Sequence, residues 1–270
     1  MDTTNPKRRY EKYSALNGWE TLETPVIGEA PVALTVNGEI WLTFMCTPSD
    51  LEALGVGFLY NEDLIQSCTE IASVRPCNNK ENIDIWLNKT VEKPAQWRRT
   101  SGCAGGQTGI AQAALHPMLD EYRFQPETLF AGMEQLLNAQ ELYREARGVH
   151  CSALSDGRQL LIQAEDIGRH NTLDKLAGMM LLSAIQAEHS IIYTTGRISS
   201  EMMQKAARIG ACMVVSRTSP TSLSIETAES FGITLVGYAR RNQFNVYTHP
   251  QRLMPSAAWV HVKQTVDLSY

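Results

Sequence analysis

One of the six cysteines stands in a glycine-rich run, Thr100-Ser101-Gly102-Cys103-Ala104-Gly105-Gly106-Gln107-Thr108-Gly109. Glycine admits positive φ and lets a ligand come close to the backbone. A helix start behind the cysteine would surround it with amides of positive potential and favour the thiolate, the nucleophilic form of sulfur. Ile110 to Leu115 is compatible with that helix, and His116-Pro117 ends it. Two plainer readings stand beside this one: a small buried thiol in a tight turn, and a loop that cradles phosphate on its amides. The run matches neither GxGxxG nor the P-loop pattern.

Four further clusters carry polar chemistry. Glu165-Asp166-Ile167-Gly168-Arg169-His170-Asn171 follows an apolar strand, and in α/β sheets ligand residues gather beyond strand carboxyl ends. Asp166, Gly168, Arg169 and His170 are the candidates there, with Arg169 for anion binding and His170 for proton transfer; Asn171 or Thr172 also suits a helix cap. Thr195-Gly196-Arg197-Ile198-Ser199 turns into another helix start; Gly196, Arg197 and Ser199 suit phosphate or carboxylate, although Ser199 equally suits an N-cap. Ser219 and Ser222, in Ser216 to Ser222, repeat the arrangement. Three such strand ends are expected to share one pocket. Tyr238-Ala239-Arg240-Arg241-Asn242-Gln243-Phe244-Asn245 follows the next strand. Its arginine pair reads either as an exposed hairpin turn or as a pyrophosphate clamp. His150 and Cys151 are neighbours on a strand, so they point to opposite faces and form no dyad. Cys46, Cys151 and Cys212 lie on apolar strands and read as core.

The elements that must position these residues follow from periodicity. Residues 1–24 are polar and read as a loosely held arm. Ala33 to Val36 and Glu39 to Cys46 flank Asn37-Gly38, a hairpin signal. Ser49-Asp50-Leu51-Glu52 reads as a capping box opening a helix with Leu51, Leu54 and Phe58 on its stripe. Asn82 to Leu87 alternates as a half-buried strand does. After a helix carrying Phe130, Met133, Leu137 and Leu142, strands are expected at 149–154, 159–164, 190–195, 211–215, 233–238 and 244–248. Helices are expected at 171–187, 199–209 and 221–231 between them. That alternation is an α/β domain at 111–255, preceded by a smaller β-rich domain at 25–110 and followed by an extension at 256–270.

Composition narrows the function. The 270 residues, 43% hydrophobic and 20% charged, exclude disorder and coiled coil as descriptions of the whole. A net charge of −5 argues against broad nucleic-acid binding and leaves room for a local basic pocket. No stretch reads as a membrane span. Arg8-Arg9 lacks the apolar segment a leader would carry, so a cytoplasmic protein with free thiols is expected. HExxH, HxE and PCxxC are absent, so no metal site is expected and a zinc-dependent deaminase reading is set aside.

Taken in order, Glu165 to Asn171, Asp174-Lys175, Thr195-Gly196-Arg197-x-Ser199, Ser219-Pro220-x-Ser222-Leu223 and Leu235 to Thr248 resemble the FdhD family of formate dehydrogenase accessory proteins. Val36 to Glu39, Thr47-Pro48-x-Asp50 and Leu54 to Leu59 agree. The similarity spans about residues 24 to 253. The resemblance implies a cytidine-deaminase-like C-terminal fold without its zinc motif, and a sulfurtransferase role. Such proteins take sulfur from a cysteine desulfurase as a cysteine persulfide. They pass it to the molybdenum or tungsten bis-guanine-dinucleotide cofactor before its insertion into formate dehydrogenase. Cys103 matches the first cysteine of the family's CxxC; Gly106 replaces the second, which rules out a disulfide within this loop. The departure favours an alternative, a cofactor-binding chaperone without sulfur transfer. The family's nucleotide-binding stretch falls near Tyr238 to Asn245. For assembly, a homodimer is the commonest symmetric choice.

Overall fold

The computed structural model describes residues 4–94, 97–99, 107–109, 123–186 and 189–254. Its strands are β1 (Lys7–Ser14), β2 (Gly18–Pro25), β3 (Ala30–Val36), β4 (Glu39–Cys46), β5 (Ile71–Pro76), β6 (Asn82–Leu87), β7 (Trp97–Arg99), β8 (Gln107–Gly109), β9 (His150–Ser155), β10 (Leu160–Asp166), β11 (Ile191–Thr194), β12 (Met213–Ser216), β13 (Thr234–Arg240) and β14 (Gln243–Val246). The helices are α1 (Leu51–Asn61), α2 (Pro126–Ala139), α3 (Leu142–Ala146), α4 (Arg169–Leu182), α5 (Ser200–Ile209) and α6 (Ser222–Ser230). The chain forms two units interleaved in sequence. One takes Met1–Ala113, Ala139–Ser152 and Gln163–Ile185; the other takes Ala114–Asn138, Ala153–Ile162 and Gln186–Tyr270.

The first unit is strand-rich. Where the sequence reading expects a loose arm, β1 and β2 pair antiparallel over eight residues each. Tyr10, Tyr13, Trp19 and Thr21 favour extended backbone, and Gly18 turns the chain at φ +71°. A four-stranded sheet has the order β4-β3-β6-β5. Its hairpin turns at Asn37 and Gly38, both left-handed, as that dipeptide predicts. Val32, Leu34, Val36, Ile83 and Ile85 alternate onto the buried face.

α1 lies over this core, and its start differs from the expected capping box. Asp50 is the N-cap, in the left-handed region at φ 50°, and no side chain caps the helix. Ser49 Oγ instead accepts a hydrogen bond from Lys175 Nζ. The apolar stripe is also wider than expected: Leu51 and Ala53 through Leu59 are all buried, because α4 covers the face that the sheet does not. Two glycines permit that crossing. A Cβ on Gly57 would lie 1.7 Å from the carbonyl oxygen of Asp174, and one on Gly178 would lie 1.9 Å from that of Ala53.

The six-stranded sheet has the order β10-β9-β11-β12-β13-β14. Its strands β11, β12 and β13 are parallel. They are joined through α5 and α6 in the alternation the sequence predicts. Ile191, Ile192, Met213, Val214, Val215, Leu235 and Val236 are buried in unbroken runs, as strands covered on both faces require. α2 packs beside Tyr193, where Gly132 leaves room for the phenol ring and Tyr193 Oη donates to Thr128 O at 3.2 Å. The fold class is therefore α/β with a strand-rich N-terminal region. Among the described residues no helix is long and apolar enough to cross a membrane.

Candidate functional site

Glu165 and Asp166 end β10, and both carboxylates turn inward. Glu165 accepts the N–H groups of Glu141, Leu142 and Tyr143 at 2.8 to 3.0 Å, so it supplies the anion for the start of α3. Asp166 is fully buried. Its Oδ1 accepts Gly168 N and Asn171 Nδ2, each at 2.8 Å. Its Oδ2 accepts Thr47 N at 3.1 Å and pairs with Lys175 Nζ at 2.7 Å. Lys175, equally buried, also donates to Thr47 O, Glu165 O and Ser49 Oγ at 3.1 to 3.3 Å. Asn171 Nδ2 reaches Met45 O as well, at 2.9 Å.

The four contacts to Asp166 occupy both of its carboxylate oxygens in this structure and fix the loop that starts α4 to the chain after β4. Gly168 serves the same network, since a Cβ there would meet Asn171 Nδ2 at 2.8 Å. Arg169 and His170 are 6% and 4% exposed, buried in the first turn of α4 rather than extended into solvent. Thr47, Asn171 and Lys175 are the participants that motif reasoning missed as a set. The signal was present in the polar residues after β4, but their partners lie more than a hundred positions away. Cys46 adjoins this network, and its thiol is pushed up to about 12, by burial first and then by the charge of Asp166, against the opposing pull of Lys175.

The second unit gathers its candidates at the carboxyl ends of β11, β12 and β13. Arg217 N donates to Thr194 O, Ile198 N to Ser219 O, Thr221 N to Ile198 O and Tyr238 N to Thr218 O, all at 2.9 to 3.2 Å. Ser216 Oγ donates to Gly196 O at 2.7 Å and accepts Thr218 N at 3.0 Å. These bonds lace residues 195–199, residues 217–221 and the end of β13 into one platform. The starts of α5 and α6 open from it. Ser199 is indeed an N-cap, accepting Met202 N and donating to Glu201, and Thr221 and Ser224 form a reciprocal capping box.

On the platform Arg197, Arg217, Arg240 and Arg241 are exposed and make no ion pair among the described residues. Tyr238 sits at φ 54°, where the β13–β14 register shifts, and is exposed. Asn242, Gln243 and Asn245 are exposed around the turn, and Ser222 is exposed at the start of α6. Ala239 is buried, and Phe244 is half-buried against Phe130, with ring centroids 5.2 Å apart; these two are packing residues. The strand ends expected to share a pocket are those of β10, β11 and β12; the structure laces together those of β11, β12 and β13 instead. β10 is not beside them, because β9 lies between β10 and β11. Four guanidinium groups beside two helix starts suit a ligand with several negative oxygens. Among the described residues no group of three or more His, Cys, Asp or Glu is placed to hold a metal.

Cys103 lies outside the described residues. The flanking strands β7 and β8 pair antiparallel, with Arg99 opposite Gln107, and Cys103 falls between them in sequence. Of the other cysteines, Cys46, Cys151 and Cys212 are buried, as expected, and Cys68 and Cys77 are half-buried; all are free thiols. Burial pushes the Cys151 thiol well above its usual range, with the charge of Glu165 adding to it.

Comparison with known proteins agrees with this architecture. The model of the FdhD/NarQ family matches residues 27–254. A protein named sulfur carrier protein FdhD from Staphylococcus aureus (strain MRSA252) is 34% identical over 258 residues, covering 93% of this chain and 96% of that one. Its namesake from Bacillus subtilis (strain 168) is 34% identical over 239 residues, covering 86% and 91%. A crystal structure described as a candidate formate dehydrogenase accessory protein, from Desulfotalea psychrophila, superposes with a TM-score of 0.78 at 29% identity and covers 93% of this chain and all of that one. With one family matched across more than four-fifths of its length, and with both units present, the chain belongs to the FdhD/NarQ family.

Proposed function

We propose that the chain is a sulfur carrier that serves formate dehydrogenase, with Cys103 as the carrying residue. The observation that supports this most is the family match, because the relatives that carry the name sulfur carrier align along nearly the whole chain. Cysteine chemistry points the same way: Cys46, Cys151 and Cys212 are sealed in cores, whereas Cys103 stands among glycines between two paired strands. The Cys103 thiolate attacks the outer sulfur of a cysteine desulfurase persulfide. The new Sγ–S bond forms as the donor S–S bond breaks, and the donor cysteine leaves as thiolate. Cys103 then holds a persulfide, the form in which the sulfur is carried.

The cargo in this reading is the molybdenum or tungsten bis-guanine-dinucleotide cofactor, a substrate rather than a resident group. Its phosphates suit Arg197, Arg217, Arg240 and Arg241, whose guanidinium forks match phosphate oxygens. A second reading, binding of the cofactor without sulfur transfer, draws on Gly106 in place of a second loop cysteine. Incubation with a cysteine desulfurase and labelled cysteine separates them. A gain of about 32 Da, one sulfur atom, on the peptide containing Cys103 is expected, and none in Cys103→Ser. No gain, with the desulfurase active on a control acceptor, favours the binding reading instead.

A further inference from the structure

The start of α1, the β5–β6 turn and the second half of α4 line a cavity of about 440 Å³ within the first unit, a volume typical of small-molecule sites. Its apolar wall is Pro48, Leu51, Pro76, Met179 and Leu182, and the chain leaves Leu182 43% exposed there. Its polar wall carries charge of both signs. α1 begins at the cavity without a cap: Asp50 holds the left-handed region, and its side chain makes no bond to the first turn. The N–H groups of Leu51, Glu52 and Ala53 therefore have no acceptor among the described residues. They are the positive end of an 11-residue helix. Ser49 adds a hydroxyl whose oxygen already accepts from Lys175 Nζ, so what it has left to give is its proton. Lys80 lines the cavity from the β5–β6 turn, half-buried and in no ion pair among the described residues. Beside these donors stand two exposed carboxylates, Asp50 and Glu52.

These groups decide the class of ligand. An anion alone would be opposed by Asp50 and Glu52, and a cation alone by the helix start and Lys80. A neutral apolar molecule would bury polar groups without giving them a partner. A zwitterion with an apolar side chain uses every wall at once. We propose that this cavity binds a free α-amino acid with an apolar side chain. Its carboxylate lies on the first-turn N–H groups of α1, the Ser49 hydroxyl and the Lys80 ammonium, as anions do at helix starts. Its ammonium pairs with Asp50 and Glu52, and its side chain packs on Met179 and Leu182. This inference stands independently of the sulfur-carrier reading.

Calorimetry on the full chain tests it with three probes: L-leucine, 4-methylpentanoate, which lacks the ammonium, and isopentylamine, which lacks the carboxylate. L-leucine is expected to bind, and each of the other two at least about tenfold more weakly, because each forfeits charge-assisted bonds. Lys80→Gln is expected to weaken leucine by a similar factor. Asp50→Asn with Glu52→Gln is expected to remove the preference for leucine over 4-methylpentanoate. The thermal midpoint of these variants should hold, because the side chains are exposed or half-buried. Cys77 lines the cavity and reports the location in the unaltered protein. Leucine is expected to slow alkylation of Cys77, read by peptide mass spectrometry, and to leave Cys68, also half-buried and outside the cavity wall, at its former rate. No binding of leucine up to its solubility, an analogue that binds as tightly as leucine, affinities indifferent to these substitutions, or alkylation of Cys77 unaffected by leucine would each overturn the proposal.

Discussion

Asp166 and Lys175 bury a full negative and a full positive charge side by side, and each is held by main-chain groups as well as by the other. Removing one partner leaves the other charge buried and uncompensated. Asp166→Asn or Lys175→Met is therefore expected to cost about 3–5 kcal/mol in denaturant unfolding, and the double variant less than the sum of the two. Cys46 beside them gives a pH signature. Its pKa rises from 9.0 to about 12 on folding, so between those values the unfolded chain holds fewer protons than the folded one. Stability is then fully present below pH 9.0, falls as pH rises through that window, and is lost toward 12. Cys46→Ala should make that decline shallower in unfolding curves taken from neutral to alkaline pH, with the part due to Cys151 remaining. The sequence singled out Asp166, Gly168, Arg169 and His170 from their place at a strand end. It did not show their burial, because Thr47, which holds Asp166, lies 119 positions away and only the fold joins the two.

Regular elements were legible because their hydrophobic periods are strong. The predicted alternation from 190 onward matches β11 through β14 within a few residues. Two local readings failed for physical reasons. Ser49 and Glu52 have capping-box spacing, yet Lys175 claims Ser49, and the helix begins from Asp50 in the left-handed region. The first 24 residues lack an apolar face, so a pattern built on burial cannot see a hairpin held by cross-strand pairs. The α1–α4 crossing was also hidden, because a close approach shows in sequence only as isolated glycines. Gly57→Ala and Gly178→Ala each drive a methyl group into a main-chain carbonyl. Each is expected to lower the thermal midpoint sharply, whereas Thr221→Ala, which removes a surface cap of α6, should cost only about 1 kcal/mol.

For the whole molecule, the family was legible because its motifs are long and ordered, and the comparisons then matched residues 27–254. What composition could not show was where the basic groups gather in a chain of net charge −5. The structure has four exposed arginines at the carboxyl ends of β11, β12 and β13. If the proposed cargo is held there, guanosine diphosphate, which carries its guanine and diphosphate, is expected to bind, and replacing Arg197 and Arg217 by alanine to weaken it about tenfold or more for each charge-assisted bond lost, read by calorimetry. The frame beneath those arginines has a further property. Residues 195–199, residues 217–221 and Tyr238 are joined largely through main-chain N–H and carbonyl groups, and such bonds do not depend on which side chains stand above them. The platform therefore works as a chassis with interchangeable fittings. Charge, reach and shape at positions 197, 217, 240 and 241 are free to be rewritten, by evolution or by design, while the scaffold that aims them keeps its form.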